Sequence, residues 1–211
     1  PINPKAEKIL NRSAYSSIVD IPQPVDLAII VIPAPAVAPV LEQAAKKGVG
    51  AAIIISAGFG ESDPEGQKKE KEIKKITQKY PIRVLGPNCM GIINPHHQLN
   101  ASWRTAFPKK GSLVFFSKSG ALSAPVMEFC QKNNLGLNCF ISLGNKLDIS
   151  ETDILEFFGK EKRAQILAGY LESFKNGKDL VSFSRKITAQ KPVIILKGGM
   201  SEEGAQTASS H

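Results

Sequence analysis

A chain of 211 residues that is 42% hydrophobic can hold one large domain or two of about 100 residues each. No apolar run reaches the roughly 18 residues needed to span a bilayer, and the start "PINPKAEKIL" lacks the apolar region of a signal peptide. The net charge of +8 admits nucleic acid, anionic lipid or phosphorylated ligands, but the lysines alternate with glutamates in stretches such as "GQKKEKEIKKITQKY", as on a solvated helix face. Basic and aromatic residues do not interleave, so neither a nucleic acid nor a membrane is expected as partner. Cys89, Cys130 and Cys139 are odd in number and show no CxxC spacing; they read as free packing thiols in a reducing, cytoplasmic compartment.

Taken in chain order, "PINPK" reads as the end of a strand. No strand, glycine loop and helix precede it, although a dinucleotide-type fold begins with that unit; either the fold lacks it or the chain starts after it. "DLAIIVIP" is a buried strand, "PAVAPVLEQAAKKG" a helix, "VGAAIIISAG" a strand, "EGQKKEKEIKKITQKY" a helix and "IRVLGPN" a strand. "HHQLNASWRTAFPKKG" reads as a linker, with Trp103 packed between domains. The pattern then resumes with the strand "SLVFFSKSG" and the helix "ALSAPVMEFCQKNN". "LNCFISLGN", "AQILAGYLES" and "KPVIILKGG" are further strands, separated by the helices "DISETDILEFFGK" and "GKDLVSFSRKITAQ". Strands apolar on both faces, alternating with helices, predict parallel sheets covered on both sides. Two such series with a joint near Phe107–Gly111 predict two doubly wound α/β domains.

Ligands of such sheets bind beyond the carboxyl ends of the strands, so the residues just after each strand carry the chemistry. In "VFFSKSGALSAPVMEF" a strand runs through Ser-Lys-Ser-Gly into a helix, whose unpaired N–H groups make an anion site; a plain serine cap is the alternative. Leu122, Val126, Phe129 and Cys130 have helical spacing and are expected on the buried face. Pro125 cannot donate to the Ala121 carbonyl, so a kink, or a later start capped by Ser123, is expected. His96 and His97 read as a solvated turn, and Asp148, Glu151 and Asp153 as helix N-terminal capping rather than metal ligands. Cys89 reads equally as a small buried thiol or as a contact to a thioester. The small polar run ending in His211 is either a tag remnant or a mobile loop carrying a reactive histidine.

"IISAGFGE", "RVLGPNCMGIINP", "LNASW", "SKSGALS", "SLGNKLDISETDILEFF" and "KPVIILKGGMSEEGAQTASSH" occur in this order and cover nearly the whole chain. Together they resemble the α subunit, or α region, of ADP-forming acyl-CoA synthetases of the acetate–CoA ligase type, in the superfamily of succinyl-CoA synthetase. The resemblance implies a Rossmann-like CoA-binding domain over residues 1–108, lacking its first strand and glycine loop. It implies a flavodoxin-like doubly wound parallel α/β domain over 109–211, ending at a phosphohistidine loop. His211 matches the phosphorylated histidine and Glu172 a glutamate that contacts it, while Ser119 and Gly120 open the phosphate-binding helix. Lys5 matches a lysine near the CoA phosphates; Pro33 of "VIPAP", with Ile55, Ser56 and Ala57 of "ISAG", matches loops around the adenine and ribose; Asn88 and Cys89 lie in a loop near the reactive end of CoA.

The implied activity is that of an acid–thiol ligase, interconverting acyl-CoA, ADP and phosphate with carboxylic acid, ATP and CoA through acyl phosphate and phosphohistidine. Coenzyme A and a small carboxylic acid are the implied substrates. ADP or ATP with Mg²⁺ belong to a partner ATP-grasp domain, fused or on a β subunit, without which this chain is expected to be inactive. A hetero-oligomer, or a homodimer of a fused chain, follows. Met200 stands where many relatives are basic, and Pro125 falls inside the phosphate-binding helix. A CoA-sensing regulatory module of a protein acetyltransferase and a plain α/β interaction domain are the other readings.

Overall fold

The structure, a computed structural model, describes residues 1–103 and 107–199. A short antiparallel pair, β1 (Lys8–Ile9) and β2 (Arg12–Ser13), opens the chain. Then β3 (Leu27–Ile30), α1 (Ala34–Lys46), β4 (Ala51–Ile54), α2 (Pro64–Lys79) and β5 (Arg83–Leu85) form a three-stranded parallel sheet in the order β3-β4-β5. α1 buries Val37, Ala38, Leu41, Ala44 and Ala45, a stripe of three- and four-residue steps that lies on one helical face. α2 is capped by Asp63, whose carboxylate accepts from the Gly66 N–H, and it buries Ile73 and Ile76.

The segment read as a linker contains the second strand of a hairpin. β6 (Gly91–Asn94) and β7 (Leu99–Ser102) pair antiparallel around a turn at Pro95–His97. No Asn-Gly or Asp-Gly marks that turn. It is closed instead by the Asn94 side chain, which accepts from the His97 N–H, and by Gln98 in the left-handed region at φ 53°. His96 Nε2 lies 2.9 Å from the Gly111 carbonyl oxygen, tying the turn to the next strand. Trp103 is 71% exposed and does not pack between domains.

The second sheet comprises β8 (Lys110–Ser117), β9 (Leu137–Ser142), β10 (Ile166–Leu171) and β11 (Val193–Lys197), with the hairpin added to its edge in the order β11-β10-β8-β9-β6-β7. β8 through β11 pair parallel; β6 joins β9 antiparallel. Residues 91–102 thus belong by hydrogen bonding to the second sheet, although they precede the joint expected near Phe107. β9 is buried at every position, as expected of a strand covered on both faces. Helices α3 (Gly120–Lys132), α4 (Glu151–Lys160) and α5 (Gly177–Thr188) complete the unit.

α3 begins at Gly120 with Ser119 as its cap, so Pro125 does not delay the start to Ser123. One lost hydrogen bond is offset by the packing of Ser123, Met127 and Cys130, which form the buried face; Phe129, expected there, is 58% exposed. Ile53, Leu85 and Cys89 of the first unit sit in one apolar cluster with Val114, Phe116, Leu143 and Leu155 of the second. The two units therefore share a core rather than meeting only through a surface. No helix among the described residues is long and apolar enough to cross a membrane.

Candidate functional site

The first edge is built where β3, β4 and β5 end. Pro33, exposed, caps α1 without a side-chain hydrogen bond, leaving that helix start open. The Ile55 N–H bonds to the Ile30 oxygen at 3.0 Å. The Ser56 hydroxyl accepts from the Ile32 N–H at 3.0 Å and donates to the Ile32 oxygen at 2.5 Å, locking the two loops together. Ala57 is exposed beside them. Asn88, at φ 55°, donates its N–H to the Ser56 oxygen at 2.9 Å. Pro33, Ile55, Ser56, Ala57, Asn88 and Cys89 thus come together at one sheet edge. Lys5 stands apart, exposed on the opening segment with its N–H on Asn3 Oδ1.

The loop from Gly86 to Met90 joins this edge to the second unit. The Asn145 and Leu147 N–H groups donate to the Pro87 and Gly86 oxygens at 2.9 and 3.1 Å, and the Met90 N–H donates to the Ser142 hydroxyl at 2.9 Å. Gly144, at φ 58°, lies so close that a Cβ there would stand 2.1 Å from the Pro87 oxygen. At Gly120 a Cβ would lie 3.4 Å from Met90 Cγ, so the same loop touches the start of α3.

At the second edge Ser119 accepts from the Leu122 N–H, while the Ser117 and Ser123 hydroxyls both donate to the Ser119 carbonyl, at 2.8 and 2.7 Å. Lys118 Nζ lies 3.0 Å from Glu172 Oε2, with side-chain exposures of 14% and 5%. Burial raises the Tyr170 phenol, and the charge of Glu172 beside it raises it further. Lys146 pairs with Glu151 at 3.0 Å and donates to the Ser173 oxygen at 2.6 Å; the other Glu151 oxygen accepts from the Lys175 N–H at 2.7 Å. Burial lowers Lys146, against the pull of Glu151. Between the units opens a cleft of about 540 Å³, lined among others by Glu61, Glu70, Lys71, Lys118, Asn145 and Lys146. Asn145 Nδ2 bridges Glu61 and Glu70 at 2.5 and 2.6 Å. Burial works to raise the Glu61 carboxyl, but the donors Asn145, Phe59 and Gly58 hold it below its usual range.

Capping accounts for Asp153 alone, whose carboxylate accepts from the Ser150 N–H and hydroxyl. Asp148 takes Arg83 Nε at 3.0 Å and the Val84 N–H at 2.7 Å, and Glu151 belongs to the Lys146 pair. Arg83 also reaches Asp153 at 2.8 Å, so it clamps β5 of the first sheet to the start of α4. Lys118, Asn145 and Lys146 fall in the stretches just after the strands, 117–120 and 144–148, that the sequence marks as candidates, though without a role for each; Arg83 does not. Lys118 and the Asn145–Lys146 pair also sit inside the recognised "SKSG" and "SLGNK" motifs. His211 and Met200 lie outside the described residues.

All three cysteines are buried, and Cys89 donates its thiol to the Ile54 oxygen at 3.3 Å. Burial pushes Cys89 and Cys139 up to about 12 and raises Cys130. At pH 8 the thiolate fraction is therefore very small. Iodoacetamide should leave the native protein unmodified over a period that fully labels it in denaturant, as read by intact mass. Rapid native labelling at Cys89 would show that its thiol is open to ligand.

A family model described as a CoA binding domain matches residues 1–95, and one described as a succinyl-CoA ligase like flavodoxin domain matches 110–211. The chain is 42% identical over 211 residues to the acetate–CoA ligase (ADP-forming) II subunit alpha of Pyrococcus furiosus, covering all of this chain and 46% of that protein. It is 39% identical over 215 residues to the 4-hydroxybutyrate–CoA ligase (ADP-forming) of Nitrosopumilus maritimus, covering 31% of it. Among solved structures, the dinucleotide-forming acetyl-coenzyme A synthetase 1 of Ca. Korarchaeum cryptofilum, in complex with phosphate and ADP, superposes with a TM-score of 0.93 at 33% identity, over the whole of this chain and 46% of that one. The chain thus spans half or less of the length of these relatives.

Proposed function

This chain belongs to the ADP-forming acyl-CoA synthetase family, as the part carrying the CoA-binding and succinyl-CoA-ligase-like domains, and from that premise we propose that it supplies the acyl-transfer half of such an enzyme. Phosphate attacks the thioester carbonyl of acyl-CoA, the C–S bond breaks, and acyl phosphate and CoA result. The phosphoryl group then passes in-line to a neutral nitrogen of His211, releasing the carboxylic acid, and from phosphohistidine to ADP. Glu172 accepts the other ring N–H of the histidine, fixing the tautomer and stabilising the imidazolium. Ser119 and Gly120 present the start of α3 to phosphate. Lys5, Pro33, Ile55, Ser56, Ala57 and Asn88 are the proposed CoA contacts, with Cys89 beside them through its backbone, its thiol being buried against the Ile54 oxygen. ADP and Mg²⁺ are assigned to an ATP-grasp partner, as the family resemblance implies.

The observation that carries this reading is the Gly86–Met90 loop. It ends the first sheet's carboxyl edge and touches Gly120 at the start of α3, so a thioester laid along that edge reaches the phosphate-binding helix. The test uses the complete protein with acetyl-CoA and phosphate. Thioester cleavage that requires phosphate and yields ATP when ADP is present is expected. Cleavage indifferent to phosphate, or formation of AMP and pyrophosphate in the reverse direction, would overturn it. Gly120→Val should abolish phosphate-dependent cleavage while sparing CoA binding, because the added methyls crowd Met90 and the helix-start N–H groups. Cleavage surviving in that variant would move the anion site elsewhere.

A further inference from the structure

Two ion pairs lie deep in the second unit, and they differ in what surrounds them. Lys146–Glu151 sends its remaining bonds to the Ser173 oxygen and the Lys175 N–H, so it pins the loop after β10 to the loop after β9. Lys118 and Lys146 both line the cleft, but the Lys118–Glu172 pair stands at the start of α3. A buried pair is a poor source of stability compared with apolar packing, because desolvation offsets the attraction. What such a pair does supply is a fixed direction. The Lys118 N–H donates to the Tyr170 oxygen at 3.0 Å, continuing the β8–β10 ladder beyond its last paired residues. Lys197 Nζ donates to the Glu172 carbonyl oxygen at 2.8 Å, holding the backbone of Glu172 from the other neighbouring strand. The Glu172 backbone is thus set by Lys197 and its carboxylate by Lys118. A carboxylate has acceptor sites for more than one donor, so the Lys118 bond is compatible with a second bond to an imidazole N–H.

The geometry points to Lys118 as a positioning residue that holds the Glu172 carboxylate in the direction from which it engages the phosphorylated histidine. This rests on the phosphohistidine reading above. Lys118 sits one residue before the cap of α3, so the same side chain couples the two edges of the site: the phosphate helix and the carboxylate that serves the histidine.

The experiment follows label transfer from γ-labelled ATP to the complete protein, at saturating ATP, with CoA affinity measured in parallel. Lys118→Met should slow transfer roughly 10- to 100-fold, the usual effect of removing a group that orients a catalytic side chain, with CoA affinity unchanged. Lys118→Arg keeps the charge and the hydrogen bond and should recover most of the rate. Made in a Glu172→Gln background, Lys118→Met should add less than about threefold, because it acts through the carboxylate already removed. Transfer at the wild-type rate in Lys118→Met overturns the proposal, as does an equally large effect in the Glu172→Gln background. So does a failure of Lys118→Arg to improve on Lys118→Met. If wild type itself takes no label, the functional reading fails and the positioning role falls with it. If wild type is labelled and Lys118→Met matches it, only the positioning role is lost.

Discussion

Replacing His211 with asparagine in the complete protein is expected to abolish its phosphoryl label, which in wild type is acid-labile and alkali-stable. A nucleophile has no substitute, whereas a group that orients it does. Glu172→Gln should therefore behave differently. It keeps a hydrogen-bond acceptor but removes the charge that stabilises the imidazolium, slowing transfer by roughly two to four orders of magnitude without ending it. The Glu172 carboxylate is 5% exposed and its partner Lys118 14%, so the change also strands a buried ammonium. A drop of about 3 kcal/mol in stability, visible in chemical denaturation, should accompany the slower transfer. Label persisting in His211→Asn would move the phosphoryl site to another residue. Normal transfer in Glu172→Gln would leave the histidine standing and remove the glutamate from its role.

Gly144→Val should cripple the protein from outside the reacting atoms. The backbone there is at φ 58°, a conformation that a β-branched residue avoids, and a Cβ would stand 2.1 Å from the Pro87 oxygen and 2.7 Å from that of Asn88. The clash cannot be relieved by letting the loops part, because the Asn145 N–H is bonded to that same Pro87 oxygen and the Met90 N–H to Ser142. Displacing the Gly86–Met90 loop by about 1 Å separates the first sheet's edge, the proposed CoA site, from α3 and should cost on the order of 100-fold in phosphate-dependent thioester cleavage. The melting temperature should fall as well. Gly177→Ala is the control: nothing lies within 4 Å of a Cβ at that helix start, so both cleavage and melting should stay near wild type. A Gly144→Val protein with full cleavage would show that the loop does not set the geometry of the site.

The ordinary parts of the fold were legible because their signals are local. Apolar runs such as Leu27–Ile30 and Ala51–Ile54 between amphipathic helices announce parallel strands, and the strand ends then locate the candidate residues. Family resemblance added the identity of the motifs, which the two domain models and the whole-chain relatives support; all the relatives named above are CoA ligases or synthetases, and none lends support to an acetyltransferase sensor. The β6–β7 hairpin was not legible. Its turn lacks the Asn-Gly signal, and it is held by β9, whose paired residues lie almost 50 positions further along the chain. Phe129 was misplaced because helical spacing identifies a face but not which of two neighbouring stripes meets the sheet.

The amino-acid sequence by itself determined the alternation of strands and helices, the set of residues that end the strands, and the family. These depend on periodicity and on short contiguous motifs, which survive in one dimension. Only the tertiary structure decided that the hairpin extends the second sheet, that Ile53, Leu85 and Cys89 pack into the second unit's core, and that Arg83 is clamped to Asp148 and Asp153. It alone paired Lys118 with Glu172, 54 positions away. Such partners are chosen by which loops the strand order brings to one edge, and a charge on its own carries no mark of the opposite charge it will meet.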